Sequence, residues 1–235
     1  MKPAQCSIVV LLALVCAVPM GGQEQDQPKE FSDLLYPIAT GYKWHYRVTD
    51  LKAPKTTDPA AAKQMVIVTA GAKQAFSLRK RTKEGVDRPE QVYGYELQIQ
   101  NAGKTVLEQV LAPVLEQVLV SDDGVYRVSS AGKLISPPLC ILKAKAAKGT
   151  PAWKCESQSE NAVIKGEFTV DQQDVQLPTV LLKGTVVVQS REFTIGTQKM
   201  QVTTWYSPGV GMVKQHVQVG KHDVILELEK FEPTK

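Results

Sequence analysis

The residues most suggestive of chemistry lie in the stretch WYSPGVGMVKQ, Trp205 to Gln215. Its glycines could form a loop that binds phosphate, or they could connect two strands. A phosphate loop is followed by a helix and usually carries a lysine before Ser or Thr. Here an alternating β-pattern follows, and Lys214 precedes a glutamine. In "SPGV", Pro and Gly occupy the second and third positions of a type II turn. The sequence therefore predicts a turn between strands.

The other ionisable residues form no recognisable catalytic or metal-binding pattern. The chain has three histidines, His45, His216 and His222, and it lacks the HExxH, GxSxG and CxxC motifs. The segment "SDDG" lacks the remaining ligand positions of a calcium loop. We therefore expect no catalytic residue, no metal site and no cofactor, and we predict a protein that is not an enzyme. A hydrolase with dispersed catalytic residues is a weaker alternative.

The tryptophans are the best candidates for a binding site. Trp44 and Trp153 each follow a hydrophobic stretch and a glycine by a few residues, whereas Trp205 lies in the turn motif above. Such rings could pack the core at the start of a strand, or they could line a groove that binds an apolar ligand. We name Trp44, Trp153 and Trp205 as candidate ligand-binding residues, and packing is the alternative, favoured for Trp44 and Trp153.

The first residues resemble a signal peptide. Lys2 precedes an uninterrupted apolar run of 11 residues, Ile8 to Val18. The run is too short to span a bilayer as a helix, and small residues follow it. We predict a signal peptide over residues 1–22, a flexible segment over 23–35 and export to the periplasm or the medium. Val15 before Cys16 makes a poor lipidation site, so a lipid anchor is disfavoured.

Export leaves two cysteines, Cys140 and Cys155. Exported proteins meet oxidising conditions, so a disulfide between the two is plausible. A zinc site is disfavoured because no CxxC pair or nearby histidine accompanies them. The sequence thus predicts a Cys140–Cys155 disulfide.

The predicted partners follow from charge and hydropathy. The formal net charge of +4 is weakly basic, and its densest cluster is "RKRTK", Arg79 to Lys83. An exported protein rarely meets nucleic acid, so this cluster is interpreted as a solvated strand edge. No later segment is apolar for 18 residues, which predicts no transmembrane segment in the mature chain. An apolar ligand or another envelope protein is the expected partner.

From Tyr42 onward the chain alternates as β-strands do. A duplicated hexamer, VLEQVL at Val106–Leu111 and Val114–Leu119, is interpreted as lengthening a strand or adding a hairpin before a turn at Asp123-Gly124. The last hairpin allows a register prediction. If Gly220-Lys221 forms a type II′ turn, Lys214 faces Glu227 and apolar residues pair with one another.

Three motifs carry a family resemblance. "YPxxxGxxWxY" begins at Tyr36, "DGVYR" begins at Asp123, and "WYxPGVGxVK" begins at Trp205. The chain, from about Tyr36 to Phe231, resembles a family of exported bacterial domains of unknown function, similar to the TapB-like group. The resemblance implies an antiparallel sheet, curved or half-barrelled, without known catalysis.

Together these observations predict an all-β fold: a single antiparallel, strongly curved sheet or open half-barrel over residues 36–232, with at most one or two short helices. The predicted function is that of an exported, non-enzymatic envelope protein that binds an apolar ligand or a partner on the curved sheet. The alternative is a structural or assembly module without a small-molecule site.

Overall fold

The described part of the chain consists of strands. A computed structural model describes residues 35–52, 64–81, 87–102, 114–121, 123–160 and 162–234, with side chains left out for residues in 77–92 and for 101, 102, 114 and 115. The strands are β1 (Lys43–Asp50), β2 (Gln64–Arg81), β3 (Asp87–Ala102), β4 (Val114–Ser121), β5 (Gly124–Ser130), β6 (Lys133–Lys143), β7 (Trp153–Ser159), β8 (Ala162–Gln176), β9 (Leu181–Ile195), β10 (Gln198–Ser207), β11 (Gly211–Val219) and β12 (His222–Glu232).

The twelve strands form a closed antiparallel barrel. Each strand pairs with its neighbours in the chain, and β1 pairs with both β2 and β12. The all-β prediction is confirmed, but the open half-barrel is wrong. Pairing of the first strand with the last, from Lys43↔Glu232 to Asp50↔Val224, removes the two open edges of the sheet. Closure satisfies backbone groups that an open edge would leave exposed.

Alternation divides each strand between an inner and an outer face. On β1, Trp44, Tyr46 and Val48 are buried, while the residues between them are more exposed. The preceding segment joins the same core, because Leu35, Tyr36 and Ile38 are buried. Among the residues described, no helix is long and apolar enough to cross a membrane.

The weakest contact in the barrel wall lies between β6 and β7. These strands share a single paired position, Ser136↔Gln158. Pro137 and Pro138 follow Ser136 on β6, and proline has no backbone N–H to donate to a ladder. The two prolines therefore explain why pairing does not continue towards Cys140.

Both turns predicted in the last third are confirmed. In "SPGV", the N–H of Val210 donates to the carbonyl of Ser207 at 3.0 Å, and Gly209 has φ +65°. At the final hairpin, Gly220 has φ +54°. The predicted register is observed from Val219↔His222 to Lys214↔Glu227.

The bulge beside the first of these turns corrects one detail. Two-residue turn geometry places Trp205 beside Met212, but the structure pairs Trp205 with Lys214 and Tyr206 with Met212. Val213 is the extra residue between these pairs, and it is fully buried. The partner of Trp205 thus moves by two residues: the pairing Ser207↔Gly211 across the turn accounts for one, and the bulge at Val213 accounts for the other, so Lys214 stays on the face of Trp205.

Other predictions have mixed outcomes. The hairpin at "SDDG" is confirmed as β4–β5, although Ser121 pairs with Gly124, so the turn lies one residue earlier than predicted. The second VLEQVL copy lies in β4. The first copy, the signal peptide and residues 23–34 lie outside the described residues.

The predicted disulfide is wrong, because Cys140 and Cys155 are free cysteines. Cys140 pairs with Tyr126, whose hydroxyl lies at the exposed side chain of Asp123. Cys155 alternates with the exposed residues Lys154 and Glu156. Strands β6 and β7 share a single paired position, Ser136↔Gln158, so backbone pairing does not place Cys140 beside Cys155 as a disulfide across neighbouring strands requires.

We expect both cysteines to be recovered as thiols that react slowly in the folded protein. Burial raises the pKa of both thiols, that of Cys155 to about 11, so the reactive thiolate is scarce at neutral pH. Alkylation with iodoacetamide without reductant, followed by peptide mass spectrometry, should label both residues fully only after denaturation. Recovery of a disulfide-linked peptide pair would contradict this expectation.

Candidate functional site

Trp44 lies in the barrel core and is fully buried. Its ring stacks on Phe231 with centroids 5.8 Å apart and meets the edge of Tyr42 at 5.9 Å. Phe231 enters this cluster because β1 and β12 pair Trp44↔Phe231. Trp44 therefore packs the place where the barrel closes.

Trp153 connects the two strands that share only one paired position. Its indole N–H donates to the carbonyl of Cys140 on β6 at 3.1 Å, and its ring stacks on Phe168 with centroids 5.4 Å apart. The Lys143 ammonium lies 5.3 Å from the ring centroid. The side chain thus supplies a hydrogen bond across the contact between β6 and β7 that the backbone ladder lacks.

Trp205 lies on the outer face of the barrel and is half-buried. The ammonium of Lys214 is 5.9 Å from its ring centroid and 2.8 Å from the carboxylate of Glu227. On its other side Trp205 pairs with Val187, which is fully buried. The three tryptophans therefore do not come together on one concave face: Trp44 and Trp153 point inward from distant strands, and Trp205 points outward.

A buried ion pair that the sequence analysis missed occupies the barrel interior. Arg127 Nη2 on β5 lies 3.0 Å from Glu116 Oε2 on β4, and their side chains are 1% and 0% exposed. The hydroxyl of Ser130 donates to the other carboxylate oxygen at 3.5 Å. Strand alternation could have revealed Glu116, because it shares the inward positions of β4 with Val118.

Glu116 makes the stability of the fold depend on pH. Burial raises the pKa of Glu116 from 4.5 to about 7, although Arg127 and Ser130 oppose the shift. The folded state therefore binds a proton that the unfolded chain releases between those two pH values. A raised folded-state pKa stabilises the fold fully below the unfolded value, and the contribution is lost as pH rises through the folded value.

We expect the free energy of unfolding to fall by about 3 kcal/mol as pH rises from about 5 to about 8, because one pKa unit corresponds to about 1.4 kcal/mol. Urea unfolding at several pH values measures this slope. Glu116→Gln should flatten it, while the exposed control Glu156→Gln should leave it unchanged. An unaltered slope in Glu116→Gln would assign the dependence to another group.

Next to the ion pair lies a cavity of about 20 Å³. Its polar lining comes from Arg127, Thr204, Tyr206 and Gln215, and its apolar lining from Ile141, Phe168, Val188 and Val202. Gln215 Nε2 donates to Thr204 Oγ1 at 3.1 Å. Strands β5 and β6 thus meet β8 to β11 around one small space, so side chains from opposite walls fill this part of the interior.

Strands β1, β11 and β12 carry paired charges. Each histidine faces a carboxylate: His216 Nε2 is 2.5 Å from Asp223, His45 is 3.4 Å from Glu232, and His222 is 3.7 Å from Asp50. The hydrogen bond with His216 holds the pKa of Asp223 below its usual range. Within the described residues, no three His, Cys, Asp or Glu side chains are grouped so that they could hold a metal ion. The pairs resemble surface ion pairs that orient neighbouring strands.

The comparisons with known proteins assign neither a family nor a role. No protein-family model matches the chain, and no curated protein matches it. A crystal structure of a "putative exported protein with YmcC-like fold" from Bacteroides fragilis aligns with a TM-score of 0.40 and 14% identity over 83% of this chain and 97% of its own. A "putative lipoprotein" from Parabacteroides distasonis aligns with a TM-score of 0.35 and 10% identity over 85% of this chain and 99% of its own. The resemblance to the TapB-like group stays a prediction.

Proposed function

We propose that this chain is an exported, non-enzymatic protein of the cell envelope that acts through its outer surface, as a partner-binding or assembly module. The observation that carries the proposal is the small size of the interior cavity that the described residues line beside Arg127. A barrel that carries an apolar ligand needs an interior space of several hundred Å³, whereas the cavity beside Arg127 measures about 20 Å³. This contrast favours the assembly alternative over a carrier of apolar ligands.

The chemistry of the described residues supports a non-enzymatic role. The two half-buried thiols have raised pKa values, which disfavours them as nucleophiles. The histidines with their carboxylate partners lie on strands of the barrel wall and do not line the cavity beside Arg127. These groups have the arrangement of structural ion pairs.

Trp205 is the residue through which we propose that a partner docks. A half-buried tryptophan beside a lysine and a carboxylate offers apolar area with a charged rim, and tryptophan is enriched at the energetic centres of interfaces. Trp44 and Trp153 are packing residues in this proposal.

The carrier alternative is tested by native mass spectrometry of the mature protein after gentle extraction. We expect the mass of the bare chain. A stoichiometric co-purified lipid or other apolar molecule would overturn the proposal in favour of the carrier.

The partner surface is tested by placing a photo-crosslinking amino acid at position 205 in the exported, full-length protein. Position 201 is the matched control, because Gln201 lies on the same strand and the same outer face and is exposed. We expect a discrete cross-linked product from position 205 and none from position 201. Equal labelling at both positions, or none at either, would contradict docking at Trp205.

A further inference from the structure

The cavity beside Arg127 contains an unsatisfied acceptor. Gln215 is 1% exposed, and its side-chain oxygen Oε1 accepts no hydrogen bond from the described residues. The amide nitrogen of the same side chain is already engaged with Thr204. A buried acceptor without a donor destabilises the fold, so the geometry favours an occupant that can donate to Gln215.

The size and lining of the cavity restrict that occupant. A cavity of about 10–15 Å³ holds one water molecule, which needs two to four polar neighbours. The cavity offers about 20 Å³, and its polar wall combines an acceptor on Gln215 with the guanidinium of Arg127 and the hydroxyls of Thr204 and Tyr206. A halide ion would fit the volume and the guanidinium, but it cannot donate a hydrogen bond to Gln215.

We propose that this cavity is a binding site for a single water molecule, which donates to Gln215 Oε1 and accepts from the polar wall opposite. The water links the inner face of β11 to that of β5 through the middle of the barrel. Gln215 is in this view a residue that positions the water. This role explains why a glutamine occupies an inward position of β11, where the next inward residues along the strand are Val217 and Val219. The inference does not depend on the proposed function.

The inference is tested on the full mature chain by oxygen-17 magnetic relaxation dispersion, which counts waters with long residence times, and by a crystal structure at high resolution. We expect Gln215→Met, which keeps the length of the side chain but removes its acceptor, to hold one long-lived water fewer than the wild type. The matched variant Gln201→Met makes the same change at an exposed position of β10 outside the cavity, so it should keep the water.

Three results would overturn the proposal. An empty cavity in the wild-type crystal structure would show that no water binds there. An unchanged number of long-lived waters in a folded Gln215→Met variant would show that Gln215 does not hold the water. Anomalous density from bromide in the cavity after soaking would assign the site to an anion instead. If Gln215→Met does not fold, Gln215→Glu offers a second variant, which retains an acceptor and should keep the water.

Discussion

Replacing Glu116 by leucine should lower the free energy of unfolding by about 3–5 kcal/mol, the cost of removing one partner of a buried ion pair. The guanidinium of an arginine is charged in proteins, and the side chain of Arg127 is 1% exposed. The substitution removes the carboxylate that lies 3.0 Å from its guanidinium. Urea unfolding of the two proteins at about pH 8, above the folded-state pKa of Glu116, measures the difference.

Two matched variants separate charge from packing at this pair. Glu116→Gln keeps an acceptor oxygen in place, so its cost should be much smaller. The double variant Glu116→Leu/Arg127→Met removes both polar groups and should recover most of the stability lost in the single variant, because a buried ion pair contributes little over apolar residues of similar volume. If the double variant were less stable than Glu116→Leu, the prediction would be wrong. Arg127 would then stabilise the fold even without its carboxylate partner.

Replacing Trp44 by alanine should lower the free energy of unfolding by about 3–5 kcal/mol, a loss typical of a fully buried large aromatic residue. The change removes the stacking on Phe231 and the contact with Tyr42, and it leaves a void where β1 closes the barrel on β12. Thermal and urea unfolding measure the loss.

Trp205→Ala is the matched control for this experiment, because it removes the same ring from the outer face. The variant should lose markedly less stability. The ring of Trp205 is half-exposed, and the contact that it loses with Lys214 is a cation–π interaction at the surface. Equal losses in the two variants would mean that Trp205 packs as tightly as Trp44, and this outcome would also weaken the proposed docking role.

The local parts of the structure could be predicted from the sequence. The final hairpin was predictable because Gly220 permits a positive φ and because side chains alternate with a period of two, so only one register pairs apolar residues with one another. The turn at Pro208-Gly209 follows from the same local chemistry. These features depend on residues that are near in the chain.

The candidate site was less predictable. Glu116 and Arg127 lie 11 positions apart on neighbouring strands, and a turn one residue earlier than Asp123-Gly124 pairs Arg127 with Val118 instead of Val120. The cavity was harder still to predict from the sequence, because Gln215 and Arg127 are far apart in the chain and belong to opposite walls of the barrel.

The sequence by itself determined that this chain makes antiparallel strands, where its last turns lie and which residues pair there, because side-chain alternation and turn conformations act over a few residues. Only the tertiary structure decided that the sheet closes between β1 and β12, that the two cysteines are not joined, and that an ion pair and a small cavity occupy the interior. Closure and burial join residues that are distant in the chain, and no local pattern specifies which distant strands will meet.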